Sequence, residues 1–243
     1  MTKNFWGIIS FFRKIFFVSC MALMVNGNCY GYVMPAEQLL DFMADNFSNF
    51  GTMIIVQSTL QTGPESEKIF MEQIQLKSPD LFELKSLDRM AGRTGLPYMA
   101  YRQLLMANTR TRLEELLSVM GINLEAVSLT RVDGVIAYQI GLKGDQIPKL
   151  LIEKERFLPL QLVYRMAGDT SEEIVTVRFQ DYRKEGKGWI PFQITYSVDN
   201  RIREEYSIQN LQTNVPIYSS SLQTFEITPS LGQTFKEGLS GIR

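Results

Sequence analysis

Gly188-Trp189-Ile190-Pro191-Phe192-Gln193-Ile194-Thr195-Tyr196-Ser197-Val198 is the stretch that decides the fold. Ile190, Phe192, Ile194, Tyr196 and Val198 occupy every second position, the period of a strand with one face buried. A turn-rich run, Lys184-Glu185-Gly186-Lys187-Gly188, precedes it, and Asp199-Asn200 follows. Both read as tight connections between antiparallel neighbours. Downstream, Ile202 to Leu211 is strand-like, with Tyr206 and Ile208 on one face.

The same period runs backwards along the chain. Val175, Val177 and Phe179 alternate, as do Leu160, Leu162, Tyr164 and Met166. Leu150-Leu151-Ile152 is a short apolar strand, and Ile136, Tyr138, Ile140 and Leu142 alternate after an Asp133-Gly134 turn. Nearer the N-terminus, Met53 to Leu60, Lys68 to Lys77 and Leu81 to Leu87 read as strands, and Phe225 with Ile227 suggests a last short one. About nine strands joined by short turns predict one long antiparallel sheet, which curls or closes. Its alternation predicts one face on an apolar interior and the other in water.

Two helical stretches are available to cover that interior. Pro35 opens the first, where Leu39, Leu40, Met43, Phe47 and Phe50 recur at helical spacing and Gly51 stops it. The second is an insert around 97–120, after a loop at 89–96; Thr111 and Glu114 form a capping-box pattern, and Gly121 ends it. The predicted class is α+β: a strongly curved antiparallel sheet, an incomplete β-barrel, with helices covering the concave apolar face.

The N-terminus reads as an export signal. Lys3, Arg13 and Lys14 precede Ile15 to Val25, an apolar run of signal-core length, and Asn26-Gly27-Asn28 follows. Cleavage is expected between Gly27 and Gly31, which makes 1–31 a secretory signal peptide and 32–243 a single domain; an uncleaved anchor is the alternative. Cys20 stands in a poor lipoprotein-signal context, because Met21 to Val25 continues apolar. Removing the leader leaves 22 of the 25 basic residues against 26 acidic ones, a net charge of about −4. That balance argues against nucleic acid as a partner.

The chain has no histidine, and both cysteines, Cys20 and Cys29, fall in the leader. Imidazole bases, thiol nucleophiles and the usual zinc ligands are therefore missing from the expected mature domain. No Gly-rich phosphate loop or Gly-x-Ser-x-Gly is present. Glu114-Glu115, Glu172-Glu173 and Glu204-Glu205 are expected to be solvent-facing charge, and neighbours on a strand do not converge as a glycosidase pair must. Asp41 and Asp45, one turn apart on the first helix, are expected on its wet face. The reading is of a non-enzyme.

Three patterns resemble the LolA-like family of periplasmic lipoprotein carriers and the related outer-membrane lipoprotein-sorting domains. They are Ser78-Pro79-Asp80-Leu81-Phe82-Glu83-Leu84, then Leu150 to Lys154 leading to Leu158-Pro159-Leu160, and Gly188 to Ile194 followed by Glu205, Tyr206, Ile208 and Asn210. Glu83 and Leu84 depart from the family, whose carriers have basic and Trp residues there. The resemblance implies a periplasmic protein whose concave face and helical lid hold acyl chains without a cofactor. Its cargo would be a lipid or an acylated lipoprotein, with an inner- or outer-membrane protein as a possible partner. The alternative is a periplasmic interaction or sensor module that binds a membrane-protein partner. Alternation assigns Phe47, Phe50, Ile74, Leu76, Phe82, Leu84, Tyr138, Ile140, Leu162, Tyr164, Ile194 and Tyr196 to the inward, ligand-binding set.

Overall fold

The computed structural model describes residues 33–63, 66–78, 81–88, 100–167, 172–218 and 222–224. Among the described residues, eleven strands form one antiparallel sheet: β1 (Thr52–Thr62), β2 (Glu67–Lys77), β3 (Leu81–Ser86), β4 (Val127–Val132), β5 (Val135–Gly141), β6 (Lys149–Glu153), β7 (Pro159–Ala167), β8 (Glu172–Glu185), β9 (Gly188–Val198), β10 (Arg201–Thr213) and the two-residue β11 (Gln223–Thr224). Their spatial order is β11-β3-β2-β1-β10-β9-β8-β7-β6-β5-β4. Two meanders, β1–β3 and β4–β10, are thus stitched together by the β1–β10 pair. The end strands β4 and β11 do not pair with each other, so the sheet is an incomplete barrel. The expected leader, the 89–96 loop and the Phe225–Ile227 strand lie outside the described residues.

Local chemistry explains the short connections. Asp133 and Gly134 both have positive φ (48° and 85°), as do Asp199 and Asn200 (48° and 61°). Two-residue turns of this hand match the twist of the strands they join. The Asp199 side chain adds a bond by accepting from Ile174 N at 3.0 Å. Register shifts fall between Val56 and Gln57, Leu151 and Ile152, and Ile202 and Glu204. Each such irregularity bends its strand and increases its twist, which curls the sheet.

Three helices lie among the described residues: α1 (Ala36–Phe47), α2 (Ala100–Met106) and α3 (Arg110–Val119). In α1 the stripe Leu39, Leu40, Met43, Ala44 and Phe47 is buried. Burying each large side chain is worth roughly 1.5–3 kcal/mol. Pro35 caps α1 rather than opening it. The insert is two helices, not one, because Thr109 starts a new helix by accepting from Arg112 N through its side chain. That cap replaces the expected Thr111–Glu114 box. β4 was not expected either, because only Leu129 and Val127 mark its apolar phase.

The outer face does not meet water throughout, as simple alternation predicts. Ala137, Gln139, Lys149, Leu151 and Val163 point outward from β5–β7 and are buried. The β5–β6 connection accounts for the polar members. Gln139 Nε2 donates to Gly141 O and Leu142 O, at 3.2 and 3.0 Å, and Lys149 Nζ donates to Gly144 O at 2.5 Å.

α1 is fixed at its C-terminal end. Asn46 Nδ2 donates to Arg156 O at 2.8 Å, and Phe42 stacks on Phe157 with centroids 4.6 Å apart. Gly188 lets the helix approach β9: a Cβ there would lie 2.5 Å from Asn46 O and from Phe50 Cε2. Gly188→Ala should therefore destabilise the fold by about 1–3 kcal/mol through overpacking, read as a lower urea midpoint. Nearby, Tyr182 donates its hydroxyl to Pro159 O at 2.7 Å. Burial pushes this phenol well above its ordinary 10.0; the Arg156 guanidinium pulls it down and the Glu153 carboxylate raises it further. The raised folded value means that its contribution to stability is complete below about pH 10 and is lost as pH rises through the folded value. Phenolate absorbance against pH should show one fewer late-titrating tyrosine in Tyr182→Phe than in the native chain.

Candidate functional site

The register gathers the ten predicted strand residues on one face. Leu76 stands opposite Phe82 and Ile74 opposite Leu84. Tyr138 and Ile140 face Ile152 and Leu150, and Leu150 faces Leu162. Leu162 and Tyr164 face Val177 and Val175, Tyr196 faces Val177, and Ile194 faces Phe179. Pairing directly across a pleat keeps all of them on the same side. Phe47 and Phe50 approach this inner side from α1 and the segment after it. All twelve are buried except Leu84, which is half-buried.

α2 occupies the middle of the inner face. Tyr101 is fully buried, its ring 6.2, 6.4 and 5.8 Å from those of Phe179, Tyr196 and Tyr206. Such tilted pairs add roughly 0.5–1.5 kcal/mol each beyond burial. Beside it remains a narrow crevice, part of it open to solvent. Its walls are Met53 and Ile55 of β1, Leu76 of β2, Ile190, Pro191 and Ile194 of β9, Ile208 of β10, and Leu105 and Arg102 of α2. Of the predicted set, Leu76 and Ile194 line it, and the other ten are not among its walls.

The inner face also holds a buried polar network that strand alternation alone did not suggest. Arg102 Nη2 donates to Gln57 Oε1 at 2.8 Å. Gln57 Nε2 donates to Thr59 Oγ1 (3.1 Å) and to Glu72 Oε2 (3.3 Å), and Thr59 donates to that same carboxylate oxygen at 2.7 Å. On the other side of β1, Gln61 Nε2 donates to Glu204 Oε1 at 2.9 Å, and Tyr206 donates its hydroxyl to Glu204 Oε2. The Arg102 guanidinium carbon lies 5.1 and 5.3 Å from the Tyr101 and Tyr206 ring centroids. Glu204 is thus a correction: it is fully buried, not solvent-facing charge. It occupies the inward phase of β10 with Tyr206 and Ile208, so its phase was the available signal. Gln57, Thr59 and Glu72 likewise sit at inward positions of β1 and β2.

The remaining polar candidates are ordinary surface groups. Asp41 pairs with Arg110 of α3 at 3.2 Å, and Arg165 pairs with Glu172 at 3.1 Å. Among the described residues, no group of three or more His, Cys, Asp or Glu could hold a metal ion. No helix of the described residues is long and apolar enough to cross a membrane. Replacing Glu204 by Leu strips Gln61 and Tyr206 of their buried acceptor. The expected loss is about 1–3 kcal/mol of unfolding free energy, measured by urea titration.

No family model matches the sequence, and no curated protein matches it. Solved structures do. A LolA superfamily protein from Nitrosomonas europaea has 11% identity and a TM-score of 0.48, over 76% of this chain and 96% of that one. A domain described as an outer membrane lipoprotein-sorting protein, from Vibrio parahaemolyticus, has 10% identity and a TM-score of 0.47, over 75% and 94%. A DUF1329 family protein from Desulfovibrio piger has 9% identity and a TM-score of 0.49, over 76% and 95%. These are likenesses of fold between this chain and solved structures, each at low sequence identity.

Proposed function

We propose that the chain is a non-catalytic periplasmic binder or carrier of lipids or lipoprotein acyl chains, exported by a leader at 1–31 and working as a domain over 32–243. The observation that carries this reading is the inner face. A wide apolar surface is covered by short helices, and the crevice left beside α2 is walled by eight apolar side chains and one arginine. Each methylene moved from water to such a surface gains about 0.8 kcal/mol, so an acyl chain is a natural occupant. The volume is small for a long chain. Admitting one requires Leu105 and its neighbours in the wall to move apart, while Arg102 keeps its bond to Gln57.

A second reading has its own support. The inner face is filled largely by the protein's own side chains, Tyr101, Leu104 and Met106 among them, all buried. A module that binds a membrane-protein partner through its exterior needs no more than that. The two readings separate by experiment. Native mass spectrometry of the protein purified from a Gram-negative periplasm should show bound lipid, and a fluorescent fatty acid should bind. Leu105→Trp, which fills the crevice, should weaken that binding about tenfold, roughly 1.4 kcal/mol. A clean apo mass with no fatty-acid uptake, together with a crosslinked partner, favours the module.

A further inference from the structure

Arg102 is the one charged side chain in the crevice wall. It is 2% exposed. A guanidinium keeps its charge in any protein environment and offers five N–H donors. Its Nη2 is spent on Gln57, but its Nε is buried without a hydrogen-bond partner among the described residues. No ion pair to Arg102 is present among the described residues either. The two tyrosine rings cover its faces and take part of the charge. One carboxylate of the network, Glu72, is linked to Arg102 only through Gln57, which accepts from Arg102 and donates to Glu72. A cation taken out of water with so little anionic compensation is costly. The site is left with positive charge and an unused donor beside an apolar slot.

We propose that the crevice receives one acyl chain ending in an anionic oxygen group, a fatty-acid carboxylate or a lipid phosphate, and that Arg102 is its counter-ion. The proposal rests on the lipid-binding reading above and names the chemistry of the ligand's head. The apolar walls take the chain; the Nε edge of the guanidinium matches the oxygens of a carboxylate or phosphate. Glu72 and Glu204, both buried on the same inner face, repel an anion elsewhere on it and so set the direction in which the ligand enters. The interior then selects among amphiphiles instead of accepting any grease, because a neutral head leaves the buried Nε unpaired.

The test compares three ligands with the same hydrocarbon chain on the full chain: oleate, oleoyl lysophosphatidic acid and oleyl alcohol, by calorimetry or by displacement of a fluorescent fatty acid. At least one anionic ligand should bind the native protein tenfold or more tighter than oleyl alcohol. Which anion binds tighter identifies the source, free fatty acid or phospholipid. Arg102→Met should lower anion binding to the level of the alcohol, so that the preference for an anionic head disappears while methionine keeps the apolar wall. Arg102→Lys, which keeps the charge, should retain an intermediate preference and serves if the methionine variant does not fold. Equal binding of all three by the native chain overturns the proposal, and so does an unchanged preference in Arg102→Met; either leaves the lipid-binding reading standing. Binding of none of the three overturns that reading itself.

Discussion

An eleven-stranded sheet that turns one side inward must hide a large apolar surface, and the described chain has only three short helices to cover it. Everything else in the structure answers that constraint. Bulges in β7 and, twice, in β10 curl the sheet until its inner side is narrow enough to cover. α1 lies close over the start of β9 because Gly188 has no side chain to hold it away. Most of what remains is filled by α2, which drives Tyr101 among three aromatic rings from β8, β9 and β10.

The cover is not purely apolar. Gln57, Thr59 and Glu72 receive Arg102 where the sheet passes under α2, and Gln61 and Tyr206 hold Glu204 beside it. A buried polar network in a core adds less stability than well-packed hydrocarbon of the same size, yet it fixes one arrangement against near-equivalent ones. A short amphipathic helix resting on a smooth apolar face could slide; Arg102 bonded to Gln57 and set over two rings gives α2 a register. The same side chain brings a full positive charge to the edge of the crevice. One residue thereby joins the packing of the cover to the charge at the crevice.

Much of the fold was legible in the sequence. The run from Ile190 to Val198 gave the phase of β9, and the same period in β2, β3, β5 and β7 put the ten named strand positions on one face. The turns at Asp133-Gly134 and Asp199-Asn200 were readable because backbone with positive φ favours those residues. The failures have physical causes. β4 has weak alternation and owes its place to pairing with β5. The insert broke in two at Thr109, where a cap three residues ahead of Arg112 competed with the box expected at Thr111. Glu204 was assigned to water on its charge, although its position in the pleat put it inside.

What the sequence by itself determined was local: strand period, turn chemistry, the apolar stripe of α1, and the absence of imidazole from the whole chain. Pleat and helical pitch are properties of a few neighbouring residues, so a pattern of side chains encodes them directly. The tertiary structure alone decided where α2 lands, and with it that Arg102 is buried at the crevice rather than exposed on an insert. It also decided that β1 pairs with β10, which brings Gln61 to Glu204 across 143 positions of sequence. Those outcomes depend on which surfaces are complementary once the sheet has curled, and no window of neighbouring residues contains that information.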